Sequence, residues 1–106
     1  MARPIQPMTQ SLLKNSKEIS IRVGKNLLSG VNLYQVVKQL SDMDWTDYKN
    51  NAEYKTNMKR RIENYTGTVV EWINDIEFLN SLIEHNVITG WQTIDMFNNV
   101  ETFGNY

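Results

Sequence analysis

The chain has 106 residues, 11 of them basic and 12 acidic, and it contains no cysteine. This length allows one small globular domain, and the absence of cysteine excludes disulfides, thiolate catalysis and cysteine-ligated zinc. No run approaches the ~20 consecutive apolar residues of a membrane-spanning helix, so we expect no contact with a membrane.

The N-terminal segment, residues 1–8, is expected to form an extended arm. Pro4 and Pro7 are both incompatible with the interior of a regular helix. The segment also lacks the apolar stretch of a signal peptide. We therefore expect the protein to remain inside the cell that makes it.

Residues 12–28 carry two competing patterns. Leu12, Ile19 and Val23 fit one helical stripe, whereas the run that leads to Gly24 alternates between apolar and polar residues as a strand does. We favour the helix because no partner strand is evident nearby, and the strand remains the alternative.

Two further helices are predicted downstream. Apolar residues at helical spacing indicate a short amphipathic helix over residues 33–40. A longer apolar seam then repeats at alternating spacings of four and three: Met58, Ile62, Tyr65, Val69, Trp72, Ile76, Leu79 and Ile83. This seam predicts one helix over residues 46–86, packed lengthwise against other helices, with at most a kink at Gly67.

The last part of the chain is assigned to a turn and then to a short helix or an extended segment. The sequence as a whole predicts a mainly α protein, a small helical domain with a long central helix. Its parts are an extended N-terminal arm over residues 1–8, a helical domain over residues 9–88 and a short C-terminal aromatic segment over residues 89–106. The aromatic segment is expected to pack on the domain or on a partner.

Charge is distributed unevenly along the chain. Residues 1–61 hold every Lys and Arg and carry +6, whereas residues 62–106 carry -7. Two interpretations remain open: the basic part faces an acidic partner, or it folds back on the acidic part. The candidate contacts for nucleic acid or an acidic partner are Lys55, Lys59, Arg60 and Arg61. They do not form one helical stripe, so we favour a solvated helix surface, and non-specific contact with nucleic acid remains the alternative.

A second candidate surface is apolar. Phe78 and Leu82 lie outside the arc of the seam, so the predicted long helix needs cover on two sides. The candidate residues for binding a partner protein are Phe78, Leu82, Trp91, Phe97 and Phe103. The alternative is that the C-terminal segment folds over Phe78 and Leu82 and forms part of the core.

Residues that carry chemistry are few. The segment from residue 42 to residue 53 places oxygen ligands at the positions of an EF-hand calcium loop, but Asp47 replaces the required glycine. We therefore assign its carboxylates to helix capping. His85, the only imidazole, is interpreted as a residue at a helix C-terminus. We expect no catalytic residues, no metal and no cofactor.

Composition favours an origin in an AT-rich genome. The chain has 13 Asn and 9 Ile but only two Ala, although Ala is the best helix former and Asn is a poor one. A low-GC bacterium, or one of its phages, accounts for this bias through codon usage.

The favoured function is that of a non-enzymatic structural or assembly protein. In size, composition and lack of cysteine the chain resembles small accessory virion proteins of bacteriophages with low-GC hosts, although no motif is shared. The resemblance implies binding to a larger capsid or portal protein and to copies of itself, in the host cytoplasm or in the virion. The alternatives are a soluble inhibitor or regulator of one host protein and a non-specific nucleic-acid-binding protein.

Overall fold

The computed structural model describes residues 5–106, which form both helices and strands. In chain order the elements are α1 (Gln10–Leu13), β1 (Ser16–Val23), β2 (Asn26–Gly30), α2 (Leu33–Met43), α3 (Asn51–Thr66), α4 (Asp75–Glu84), β3 (Gly90–Asp95) and β4 (Val100–Gly104). The strands join in one four-stranded sheet. The prediction of a mainly α, all-α protein is therefore wrong, and the fold is α+β.

The sheet has the strand order β2–β1–β3–β4, and all neighbouring strands are antiparallel. Gly24 and Lys25 connect β1 to β2, and Gly24 has φ 60° at the first loop position, which glycine occupies in type II′ hairpins. The preference for a helix over residues 12–28 is thus wrong. The strand-like alternation is the valid signal, but β1 also needs β3, where Ile21 pairs with Trp91 seventy residues further along.

The predicted long helix over residues 46–86 is also wrong, because the chain forms two helices there. Gly67 ends α3 in the left-handed conformation, with φ 73°, and its N–H donates to Glu63 O at 2.8 Å. α4 begins only after Asn74, whose side chain caps it. The apolar spacing of the predicted seam continues through the loop between α3 and α4 only by coincidence. Tyr65, one of the seam residues, is 93% exposed and therefore does not pack in the core.

The core lies between one face of the sheet and the three longer helices. Ile19 and Ile21 of β1 and Trp91 of β3 share this face, whereas Ser20 lies on the opposite face because side chains alternate along a strand. The predicted short helix over residues 33–40 is confirmed as α2. Its buried apolar residues are Val36, Val37 and Leu40.

The described part of the N-terminal arm, residues 5–8, lies against the domain without forming a helix or strand. Met8 is buried; its N–H donates to Asn80 Oδ1 at 2.6 Å, and Asn80 Nδ2 donates to Met8 O at 2.9 Å. Trp91 Nε1–H donates to Gln6 O at 2.7 Å. The first four residues of the predicted arm lie outside the described part of the chain.

The C-terminal segment, residues 89–106, contributes two of the four strands of the sheet. The ring of Phe103 stacks on that of Trp91 with centroids 4.2 Å apart. Arg22 Nη1 of β1 donates to Tyr106 O at 2.8 Å. This segment therefore packs on the domain through main-chain pairing, ring stacking and a charged hydrogen bond.

Candidate functional site

Two of the four basic candidates on α3 form ion pairs with the acidic segment that follows the helix. Lys55 pairs with Asp75 at the start of α4, and Lys59 Nζ lies 3.3 Å from Glu71 Oε1. Arg60 is exposed and forms no ion pair with any residue between 5 and 106. The basic and acidic parts are thus joined within the chain, which agrees with the fold-back interpretation of the charge asymmetry.

The fourth basic candidate, Arg61, is paired with the loop after α2. Its Nη1 lies 2.9 Å from Asp44 Oδ2, and Nη2 lies 3.4 Å from Oδ1. Partial burial opposes ionisation of Asp44, but the N–H of Thr46 and the Arg61 guanidinium outweigh it and hold the pKa of this carboxyl below its ordinary 3.8. The pair fixes α3 against the end of α2.

Replacing Asp44 with asparagine is expected to lower the free energy of unfolding by about 1 kcal/mol near neutral pH. The effect is modest because the Arg61 side chain is half-exposed and solvent screens the pair. Since the pKa of Asp44 is lowered in the folded chain, the pair stabilises the fold above about pH 4, and this stabilisation is lost as the pH falls through the folded-state pKa. Urea unfolding of the parent and D44N chains between about pH 7 and about pH 2 measures the difference between their free energies of unfolding. This difference should disappear at the acid end.

The control for D44N is D47N, which removes an exposed carboxylate from the same loop. Asp47 forms no ion pair with the described residues, so D47N should change the free energy of unfolding by less than about 0.5 kcal/mol. An effect of D44N that stayed constant down to the acid end would contradict the assigned pairing.

The five apolar candidates divide according to their exposure. Phe78, Leu82 and Trp91 are fully buried, so a partner cannot reach their side chains in this fold. Phe103 is half-buried, because it stacks on Trp91. Phe97, in the loop between β3 and β4, is 81% exposed and lies outside the core.

A different exposed apolar group is absent from the candidates of the sequence; we name it the aromatic surface and define it as Met43, Trp45 and Tyr65. Trp45 is fully exposed, Tyr65 is 93% exposed and Met43 is 41% exposed. Trp45 directly follows Asp44, and Tyr65 lies one helical turn beyond Arg61 on α3. The Asp44–Arg61 ion pair therefore brings the two segments that carry the aromatic surface together.

The exposure of Tyr65 follows from the length of α3. Tyr54, Met58, Ile62 and Tyr65 share one stripe of this helix. Tyr54 and Ile62 are buried and Met58 is half-buried, but Tyr65 is not covered by any described residue. The last turn of α3 thus carries the core-facing stripe beyond the packed interior. The sequence signal for this end is Gly67, which terminates the helix two residues later.

The residues considered for metal binding or catalysis have structural roles. Asp44 is the C-cap of α2, and Asn50 is the N-cap of α3. His85 follows the last residue of α4, as predicted, and its Nδ1 lies 2.8 Å from Ser81 O. Between residues 5 and 106 no three His, Cys, Asp or Glu side chains are grouped in a way that would hold a metal ion.

No protein-family model, curated protein or solved structure matches the chain. Its function must therefore be argued from its own residues. None of the described helices has both the length and the apolar composition needed to cross a membrane.

Proposed function

We propose that the protein is non-enzymatic and acts by binding a larger protein through the aromatic surface formed by Met43, Trp45 and Tyr65. The observation that carries this proposal is the near-complete exposure of one Trp and one Tyr on neighbouring segments. Trp and Tyr are enriched among the residues that contribute most to protein–protein binding. Exposing them to water without a partner has a free-energy cost, because their apolar area is large.

The scaffold around the aromatic surface supports this proposal. The Asp44–Arg61 ion pair holds the two segments together. Tyr54 and Ile62 of α3 are buried in the core and hold this helix against the rest of the domain. A rigid support reduces the conformational entropy that is lost when an interface forms.

The proposal includes a biological setting, namely a larger assembly in a low-GC bacterium or in one of its phages. The bias toward Asn and Ile favours a low-GC bacterial host or its phage, and the small size suits an accessory component of a larger assembly. The binding partner would then be a major structural protein of that assembly, present in many copies in the host cytoplasm or in the phage particle. A soluble inhibitor of one host protein would use the same surface but would be recovered with one partner.

Capture from the cells that naturally produce the protein tests the proposed function. The tagged parent chain should recover a protein in stoichiometric amount, and the W45A/Y65A chain should lose it. Truncation of two central aromatic residues is expected to cost at least about 2 kcal/mol of binding free energy, which is about a thirtyfold loss of affinity. Both residues are exposed, so the stability of the variant should change by less than about 0.5 kcal/mol per site.

The matched control is F97A, which removes an exposed aromatic residue from the loop between β3 and β4. It should leave recovery of the partner unchanged. Equal recovery by the parent and the W45A/Y65A chains would refute the proposed surface. Recovery of nucleic acid alone, with an affinity that falls steeply as salt is added, would favour the nucleic-acid alternative.

A further inference from the structure

The strand β2 lies at one edge of the four-stranded sheet, and side chains of α2 bind its outer main-chain groups. Gln39 Oε1 accepts the N–H of Ser29 at 3.2 Å, and Gln39 Nε2 donates to Ser29 O. One helical turn earlier, Gln35 Oε1 accepts the N–H of Val31 at 2.9 Å. These two glutamine amides, which we name the glutamine clamp, therefore stand where the main chain of a further strand would bind.

The outer side of β2, which we name the β2 edge, is defined by the main chains of Leu27, Ser29 and Val31. Residues along an antiparallel strand point their N–H and C=O alternately toward one neighbour and the other. Because Gln39 binds both groups of Ser29, those of Leu27 two positions earlier also point outward. The main chain of Leu27 has no partner among residues 5–106. The β2 edge thus has two clamped positions and one open position.

Close packing of α2 on β2 holds the glutamine clamp in place. A Cβ added at Gly30 would lie 2.6 Å from Gln35 Cβ, so only glycine allows the helix to approach this closely without a shift. On the other side of α2, Val36 and Leu40 are buried in the core. The position of Gln39 relative to β2 is therefore set by the packing of the whole helix as well as by its two hydrogen bonds.

The β2 edge lacks the usual protection of an edge strand. Natural sheets block their edges with charged side chains, proline, bulges or very short strands. The segment from residue 26 to residue 34 contains no charged residue and no proline, and β2 pairs with β1 over its whole length without a register shift. Leu27 and Val31 are 58% and 61% exposed. Without the glutamine clamp, this edge would present an uncharged and partly apolar strand to any strand that it meets.

We propose that the glutamine clamp is an autoinhibitory contact, which keeps the β2 edge from pairing with the β2 edge of a second copy of the chain. A second copy fits this edge because antiparallel pairing across a two-fold axis brings no like charges together: the two Lys25 residues, next to β2, lie at opposite ends of the paired strands. When the clamp opens, main-chain hydrogen bonds between the copies replace those of Gln39 and join the two four-stranded sheets into one. This inference goes beyond the proposed function, because the β2 edge shares no residue with the aromatic surface.

The variant Q39M tests this inference. Methionine keeps the length and the helix propensity of glutamine, but it lacks the amide donor and acceptor that bind Ser29. Sedimentation equilibrium of the full chains should find the parent monomeric and Q39M in a discrete dimer, with an association constant at least about tenfold larger than that of the parent. A folded Q39M chain that stays as monomeric as the parent would overturn the inference.

Two further chains separate strand pairing from a general loss of solubility. K38M introduces methionine at the neighbouring position of α2, where Lys38 forms an exposed ion pair with Asp42, and it should stay monomeric. Q39M/L27K adds a charge at the open position of the β2 edge. Charge on an edge strand opposes pairing, so this chain should return to the monomer. Equal dimerisation of Q39M and Q39M/L27K would place the contact elsewhere and refute pairing through β2.

A second way of opening the clamp leaves both glutamines in the chain. G30A puts a methyl group against Gln35 and should move α2 away from β2, so it should form the same dimer, which L27K again reverses. In the parent chain, the amide of Ser29 should exchange with water more slowly than that of Leu27, because only the first is held by Gln39. Equally fast exchange of the two amides would show that the clamp does not close the β2 edge, and the inference would then fail.

Discussion

Replacing Phe78 with alanine is expected to lower the free energy of unfolding by about 3–5 kcal/mol. Phe78 has no exposed surface and meets the rings of Tyr54 and Trp72 edge-on, with centroids 5.8 Å and 4.8 Å away. Lys55 Nζ also lies 5.7 Å from the centroid of its ring. Truncation therefore removes buried area, two ring–ring contacts, one cation–π contact and the support of α3 against α4. It also leaves a cavity that this small core cannot easily fill.

Urea unfolding of the parent and F78A chains measures this loss. F97A makes the same chemical change at a residue that is 81% exposed, and it should change the free energy of unfolding by less than about 0.5 kcal/mol. Similar, small effects of both substitutions would contradict the central position of Phe78. The comparison also separates the two interpretations of Phe78 that the sequence leaves open, a core residue or a contact for a partner.

Replacing Trp91 with alanine is the second change for which a loss of about 3–5 kcal/mol is expected. Trp91 is fully buried, stacks on Phe103 at 4.2 Å between centroids and pairs with Ile21 in the centre of the sheet. Its Nε1–H also donates to Gln6 O at 2.7 Å. The substitution thus weakens the contact of β3 with the core, the packing of β4 and the attachment of the N-terminal arm.

The variant W91F tests the last of these contributions while a smaller aromatic ring still fills most of the site. It keeps a buried aromatic ring but loses the N–H donor, so we expect a smaller loss of about 1–2 kcal/mol. Hydrogen exchange at the amide of Met8, which donates to Asn80, should become faster in W91F because the arm is less firmly held. Unchanged exchange at Met8 would show that Asn80 alone holds this segment.

The candidate sites differ in how far sequence reasoning could predict them. The sequence shows that Arg61 is charged, but it does not show that Arg61 pairs with Asp44. The two residues lie on different helical segments, and no local sequence pattern predicts how far apart these segments are in space. Trp45 and Tyr65 are ordinary apolar residues in the sequence, and Tyr65 even continues an apolar seam. Only the end of α3 beyond the packed interior makes Tyr65 exposed.

Some properties of this protein follow from the sequence by itself, because they depend on single residues or on neighbours a few positions apart. The lack of cysteine excludes disulfide and thiolate chemistry. The spacing of apolar residues predicts α2, and His85 does stand at a helix C-terminus. The charge asymmetry identifies basic and acidic parts that can pair, as Lys55 and Asp75 do.

Only the tertiary structure decided the fold class and the inside or outside position of each aromatic residue. β1 becomes the centre of a sheet because β3 pairs with it across seventy residues, with Ile21 opposite Trp91. The seam spacing continues through the loop between α3 and α4, so periodicity alone could not reveal that Gly67 ends the helix. Burial depends on long-range contacts. For that reason Phe78 lies in the core and Tyr65 lies on the surface, although both are aromatic residues within helices.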